Sequence, residues 1–262
     1  MFKSIFSPTR TNLVIFQIIA HLALVYLIFN GTAFQWLITG VLYMIGVTFS
    51  GTVILHRLLS HRSFESPKWF TTLGVIVTTV CYSIPVILWV ATHREHHRYT
   101  DEPKDPHSPK YMGLLSVQFL PVGRLLSGKG MFEKPNIGYA TDFLRSKFHL
   151  TLFNYFWLFN IMFSVVLYLI DPMAVLYAWL VPAVLVWHGG ASINSLGHSK
   201  FGYRNYSTND NSTNNIITGF LVGGEGWHNN HHAQPANPKF GHKWWEFDLG
   251  WQIIKLVRLD KK

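Results

Sequence analysis

Four short stretches of the 262-residue chain concentrate imidazoles. HRLLSH contains His56 and His61, HREHH contains His93, His96 and His97, NSLGH contains Asn194 and His198, and HNNHH contains His228, His231 and His232. Neutral imidazole is a good ligand for iron, copper, zinc or nickel. Each residue of a helix turns about 100 degrees, so spacing i, i+3, i+4 holds three side chains within about 100 degrees of arc. His93, His96 and His97 are thereby expected to point one way, as are His228, His231 and His232. Asn194 and His198 stand one turn apart. His56 and His61 are about 140 degrees apart on an ideal helix and converge only if that helix unwinds or ends near them.

Nine histidines and an amide exceed the roughly four ligands of a structural zinc, or the three plus water of a catalytic one. They suit two metals of higher coordination number. No carboxylate is required as a ligand: Glu95 lies off the helical face of its neighbours, and Glu225 precedes its histidine box by three residues. An all-nitrogen site with open positions fits two irons that bind dioxygen. One HxxHH alone could be surface histidine, but two copies together with HxxxxH favour a metal site. Of the other histidines, His21 sits mid-helix without a clustered partner, and His188 lies close enough to the site to support a ligand. His107, His149 and His242 read as surface or interface residues.

The elements that must position these residues are membrane-like. Charged residues make up 13% of the chain, about half the usual share, and aromatics 16%. The formal charge of +9 forms no basic stripe interleaved with exposed aromatics, which argues against a nucleic-acid partner. The single cysteine, Cys81, excludes an internal disulfide and reads as a buried thiol. Segments 13–29, 33–55, 150–170 and 173–193 each approach the roughly 20 apolar residues that span a bilayer. A signal peptide competes for the first, but no small-residue cleavage site follows it, so it reads as a retained helix. Tight turns at 30–32 and 171–172 join the spans into two hairpins. Neither turn holds a lysine or arginine; all 22 lie in the other polar segments. By the positive-inside rule those segments are cytoplasmic. The apolar stretch 69–91 contains Pro85 and several threonines and is expected to be an interfacial helix that does not cross, because a crossing would separate the first histidine pair from the second box. The expected fold is a single all-α membrane domain: four transmembrane helices under a helical cap at 56–149 and 194–262.

With their flanks, these boxes give the chain a resemblance to the membrane-bound fatty acid desaturases, specifically the first-desaturation group related to stearoyl-CoA desaturase and the bacterial Δ9 enzymes. HRLLSH, HREHH and HNNHH resemble the three histidine boxes in order, and NSLGH resembles the shorter element whose asparagine contacts a metal through water. YTDEPKDPHSP, GYRNYSTNDNSTNN and GHKWWEFDLGW extend the likeness across nearly the whole chain. The resemblance implies a cytoplasmic di-iron centre held by His56, His61, His93, His96, His97, His198, His228, His231 and His232, with Asn194 holding a water. It also implies dioxygen as co-substrate, a long-chain acyl substrate carried as acyl-CoA or acyl-lipid, and a first double bond at the ninth carbon. No fused electron carrier is evident, so a separate ferredoxin, rubredoxin or small haem protein is expected, and the compact length suits a bacterial-type plasma-membrane enzyme. A saturated methylene has no acidic proton and no leaving group, so the hard chemistry belongs to the metals while the protein orients the chain. Trp157, Trp179, Trp187, Phe153 and Phe156 are candidates to line a tunnel, and Arg94, Arg98 and Lys104 to hold an anionic head group. Trp244, Trp245 and Trp251, with Lys243 and Lys255, suit an interfacial tail. The rival readings are a histidine-box hydroxylase and a non-enzymatic metal transporter. GRLLSGKG at 123–130 imitates a phosphate loop but has glycine where magnesium needs serine or threonine, and is rejected.

Overall fold

A computed structural model of the protein describes residues 4–119 and 136–259; GRLLSGKG lies outside them. Helix α1 (Arg10–Asn30) opens on a capping box in which Thr9 and Asn12 exchange side-chain and backbone hydrogen bonds. Thr32 and Gln35 repeat the device at the start of α2 (Ala33–Ser60), which closes the first expected hairpin. Helix α1 exceeds its expected limits of 13–29 by a few residues, mostly at its capped start.

Helix α2 runs to Ser60 rather than 55, and Gly46–Ser60 is π-helical. The Thr52 and Ser60 hydroxyls donate to the carbonyls of Val47 and Leu55, five residues back. The His61 N–H closes on the His56 carbonyl at 3.1 Å. In an i→i+5 coil, residues five apart are stacked by the same bond that defines the coil. The expected mismatch between His56 and His61 therefore disappears, and their rings lie 4.9 Å apart.

The stretch 69–91 is not one interfacial helix. It forms α3 (Lys68–Cys81) and α4 (Val86–Tyr99), bent by 101°. Pro85 carries no amide proton and restricts the residue before it, and Ser83 sits at φ 50°. The Ser83 hydroxyl pins the bend by donating to Asn160 Oδ1 at 2.5 Å and accepting from Trp179 Nε1 at 3.1 Å. Helix α3 lies antiparallel along α2, with Gly74 against Ile54 and Tyr82 against Gly46. Helix α4 then returns to the His56 end of α2, where the His56 and His93 rings are 4.3 Å apart.

The third expected span, 150–170, is also broken: α5 (Lys147–Asn154) and α6 (Phe156–Ile170) meet at 67°. The 15 residues of α6 rise about 22 Å, less than the roughly 30 Å of bilayer hydrocarbon. The fourth begins and ends later than 173–193, as α7 (Leu176–Leu196). Helices α1, α2 and α7 are long and apolar enough to cross a membrane, giving three spans, or five if each bent pair counts as one. Ile18, Leu22, Phe34, Leu37, Met162, Val165 and Leu169 are exposed on the outer faces. So large an apolar surface belongs in lipid, and the chain is an integral membrane protein. One core joins Phe16, Ala20 and Leu27 of α1 to Trp179, Val181 and Val184. A second packs Ile54 and Leu55 of α2 against Val75, Ile87 and Val90. The carboxy-terminal part of the cap contains α8 (Ile216–Leu221), α9 (His228–Ala233) and α10 (Leu249–Val257).

A Cβ at Gly46 would overlap the Tyr82 ring, whose hydroxyl donates to the Leu42 carbonyl at 2.7 Å. Gly46→Leu is expected to cost about 1–3 kcal/mol through overpacking. Gly40→Leu, facing open space, should be neutral. Melting of both variants in detergent, followed by circular dichroism, checks the difference.

Candidate metal centre

The nine box histidines sort into two adjacent groups. His56, His61, His93, His97 and His231 form one, and His96, His198, His228 and His232 the other; within each, one ring nitrogen per residue lies within 4.8 Å of all the others. Each HxxHH box is divided between them, contrary to the expectation that its three histidines point one way. The i and i+4 members, His93 with His97 and His228 with His232, stay together. The i+3 members, His96 and His231, go to the opposite group. On a helix, i and i+4 differ by only about 40 degrees, whereas i+3 lies about 60 degrees to the other side of i. A 100-degree arc is too wide to converge on one point and suits two neighbouring points. Asn194 is half-buried one turn before His198.

Four carboxylates that sequence reasoning did not assign stand behind the imidazoles. The Nδ1–H of His56 donates to Glu225. His96 donates to Asp105 at 3.0 Å, His198 to Asp101 at 3.0 Å, and His232 to Asp210 at 2.9 Å. These bonds assign the proton to Nδ1 and leave Nε2 with its lone pair. His96 Nε2 and His232 Nε2 are buried with no partner among the described residues. Elsewhere Nε2 atoms face one another: His61 and His93 at 2.8 Å, His231 and His97 at 2.9 Å, His228 and His198 at 2.9 Å, and His56 and His231 at 3.0 Å. A separation of about 3 Å is what two neighbouring nitrogens have when each lies about 2.1 Å from one cation. The donor set, the orphaned nitrogens and the carboxylate counter-charge fit two divalent metal ions.

Charge is suppressed on His61, His93, His96, His97, His228, His231 and His232. Burial and the neighbouring imidazoles push His61 down to about 2, and burial takes His232 to about 3 against the opposing pull of Asp210. Burial would raise Asp105 and Asp210, but the bonds from His96 and His232 outweigh it and hold both well below the usual carboxylate range.

Sequence-local devices aim each group. The asparagines of HNNHH, both fully buried, are struts. Asn229 Oδ1 accepts from the backbone N–H of Asn205 and Tyr206 at 2.9 and 2.8 Å. Asn230 donates to the Phe240 carbonyl and to Glu246, each at 2.8 Å. Gly224, at φ 104°, presses against Asp248, where a side chain would collide. Arg57, also fully buried, pairs with Asp248 at 2.9 Å and with Glu225 at 3.4 Å, and lies 3.7 Å over the Phe240 ring. Glu225 is thus charge-compensated on one side and binds His56 on the other. The flanks YTDEPKDPHSP and STNDN carried Asp101, Asp105 and Asp210 in plain view, but no spacing rule ties them to particular histidines.

The other expected site residues divide. Arg94 is not free for a head group: its guanidinium donates to the carbonyls of Leu59, Ser60 and Tyr139 and to both oxygens of Asp142. Arg98 and Lys104 are exposed and flank the Tyr99 ring at 5.7 and 5.5 Å. Trp179 is buried in the core, while half-buried Trp187 donates to the Tyr82 carbonyl at 3.4 Å, so both serve the α3–α4 bend. Trp157 packs against Phe16 with the rings tilted by 48° and their centroids 5.5 Å apart. His21 does have a partner, His188, with Nε2 atoms 2.8 Å apart. His107, expected at the surface, is buried with its ring 4.3 Å from that of His96. His149 packs on Phe143 and Phe148, and His242 bonds Tyr206 Oη at 2.9 Å.

A family model described as fatty acid desaturase matches residues 34–258. The chain is 34% identical over 262 residues to an sn-1 stearoyl-lipid 9-desaturase of Synechocystis sp., covering 97% of this chain and 78% of that protein. It is 34% identical over 235 residues to an acyl-CoA C20 Delta5-desaturase of Anemone leveillei, covering 88% and 74%. With an sn-2 palmitoyl-lipid 9-desaturase of Nostoc sp. it shares 33% over 256 residues, covering 94% and 86%.

Asp210→Ala removes the acceptor that orients His232 and is expected to weaken metal retention about 10–100-fold. Competition with a chelator reads this, and Glu102→Ala at an exposed position should match the unaltered protein. In the metal-free protein His61 and His232 bind fewer protons folded than unfolded below the ordinary histidine value of 6.5. Stability is therefore kept above pH 6.5 and lost as pH falls from 6.5 toward 3. Thermal midpoints measured between pH 7.5 and 5 should decline accordingly.

Proposed function

The chain belongs to the fatty acid desaturase family and is a membrane-bound di-iron oxidoreductase; from that premise we propose that it inserts a cis double bond, at the ninth carbon, into a saturated long-chain acyl-lipid or acyl-CoA. The single observation that carries this reading is the division of nine imidazoles into two groups with converging bare nitrogens. His56, His61, His93, His97 and His231 would hold one iron. His96, His198, His228 and His232, with Asn194 through a water, would hold the other. When bound, the irons supply dioxygen activation, so that two electrons, two protons and the two hydrogens removed from the chain leave with the oxygen as two waters.

The rest is the work of the protein. Glu225, Asp101, Asp105 and Asp210 keep the Nδ1 protons in place, so the rings cannot turn their lone pairs away. Burial of His56, His93, His228 and His231 keeps bulk water from the reacting methylenes. Each buried methylene contributes about 0.8 kcal/mol toward holding the chain in register. Orientation of that chain decides whether a second hydrogen leaves or a hydroxyl returns. Arg98 and Lys104, exposed beside Tyr99 near the boxes, are the cations assigned to an anionic head group. Electrons come from a separate ferredoxin, rubredoxin or small haem protein.

In this reading α1, α2, the α5–α6 pair and α7 are the four crossings, and α3–α4 enters and returns on the cytoplasmic side. The return of α4 to His61 supports that arrangement. The cyanobacterial relatives are described as 9-desaturases, and the Anemone leveillei relative as a Delta5-desaturase. Double-bond position is therefore the decisive measurement.

Expression in a host lacking the activity, followed by mass spectrometry with double-bond localisation, should yield a cis Δ9 monoene. His96→Ala and His228→Ala should each lower the yield at least about 100-fold. A hydroxylated chain with no new alkene would identify a hydroxylase instead, and metal transport with oxidation unaffected by either variant would identify a transporter.

A further inference from the structure

Lys239, Lys243 and Lys255 line one cleft of about 260 Å³ at the edge of the cap, together with Trp244 and Trp251. All three lysines are exposed, and none makes an ion pair among the described residues. Two acids also border the cleft, but their carboxylates are buried and turned inward. Glu246 accepts from Tyr203 Oη at 2.6 Å, Asn205 at 2.7 Å and Asn230 at 2.8 Å. It also accepts from the backbone N–H of His242 and Lys243. Asp248 accepts from Arg57 at 2.9 Å and from the backbone N–H of Phe240 and Trp251 at 2.7 and 2.9 Å. Among the described residues the cleft therefore offers three positive charges and no uncommitted negative one.

Its height along α2 indicates what it meets. The Tyr43 hydroxyl donates to the Leu221 carbonyl, Gly223 meets Thr48, Gly250 meets Thr52, and Asp248 bonds Arg57. The cap thus descends α2 from Arg57 toward Tyr43. At its lower end Ile216, Ile217, Phe220 and Leu221 are 50–69% exposed. A ladder of rings, Phe220 to Trp227 to Trp245, joins that apolar fringe to the lysines. Beside the lysines Trp244 is 96% and Phe247 48% exposed. Apolar side chains below and cations above repeat the vertical section of a lipid leaflet, hydrocarbon then phosphate. An acidic soluble protein would complement the lysines and leave Trp244, Ile217 and Phe220 without a partner.

We propose that this cleft seats the phosphate of an anionic membrane phospholipid, with Trp244 and Phe247 against its acyl chains. The site is separate from the histidine groups and does not depend on their chemistry. Titration of the full chain in neutral detergent with phosphatidylglycerol or phosphatidylcholine, read by native mass spectrometry, tests it. The unaltered protein should retain one phosphatidylglycerol selectively. Lys239→Gln, Lys243→Gln and Lys255→Gln combined should weaken that retention about fivefold per lysine, roughly a hundredfold in all. Phosphatidylcholine binding and the thermal midpoint should not change, and the three arginine substitutions should restore phosphatidylglycerol. Equal retention of the two lipids, or full phosphatidylglycerol binding by the glutamine variant, overturns the proposal. So does displacement by millimolar inorganic phosphate, which marks a soluble-anion site. Shielding of the lysines from amine labelling by an acidic protein, but not by phosphatidylglycerol, would assign the surface to protein docking and overturn it equally.

Discussion

Everything in this fold answers to the difficulty of burying nine imidazole lone pairs in two touching groups. Each ring must be uncharged to be a ligand, and each must be prevented from rotating to find another hydrogen bond. Burial works toward the first demand, and carboxylates on the far nitrogens of His56, His96, His198 and His232 meet the second by fixing the rings. Those carboxylates are costly to bury in turn, so each is satisfied again: Glu225 by Arg57, Asp101 by Ser108 and the backbone N–H of Asn211, Asp105 by the backbone N–H of Asp101 and His107, and Asp210 by Thr208 and Ser212. The polar shells continue outward until they reach backbone or solvent.

Regular helices do not deliver this set. A straight α-helical α2 would point His56 and His61 apart, and the π-helical stretch from Gly46 removes the difference. A straight helix through 69–91 would carry the second box away from the first, and the bend at Tyr82–Pro85 brings it back. Two of the departures from ideal geometry thus serve the histidine groups, while α1 with its capping box is regular.

The membrane-facing parts and the cap are built as one object. Trp179 and Trp187, on α7, brace the bend from which α4 departs. The His21–His188 pair joins α1 to α7, and Gln118 ties His188 to Ser195, next to Asn194. Buried Arg57 fastens the carboxy-terminal cap to α2 through Asp248. Hydrogen bonds as well as packing therefore join the membrane-facing helices to the cap.

Much of this was legible in the chain itself. Apolar run lengths, the cation-free turns and the HxxHH spacing determine an all-helical membrane protein with nine metal-seeking histidines, because hydrophobic length and side-chain direction are local properties. The hairpin at Asn30–Thr32 is likewise local, set by the Thr32–Gln35 capping box. Only the tertiary structure decided which histidine joins which group, which carboxylate stands behind it, that Arg94 is committed to backbone carbonyls, and that His21 meets His188. Those outcomes depend on contacts between residues up to 191 positions apart, as Arg57 and Asp248 are. They also depend on coil type and bend angle, which helical periodicity assumes to be ideal and which this chain alters at the places where its site is assembled.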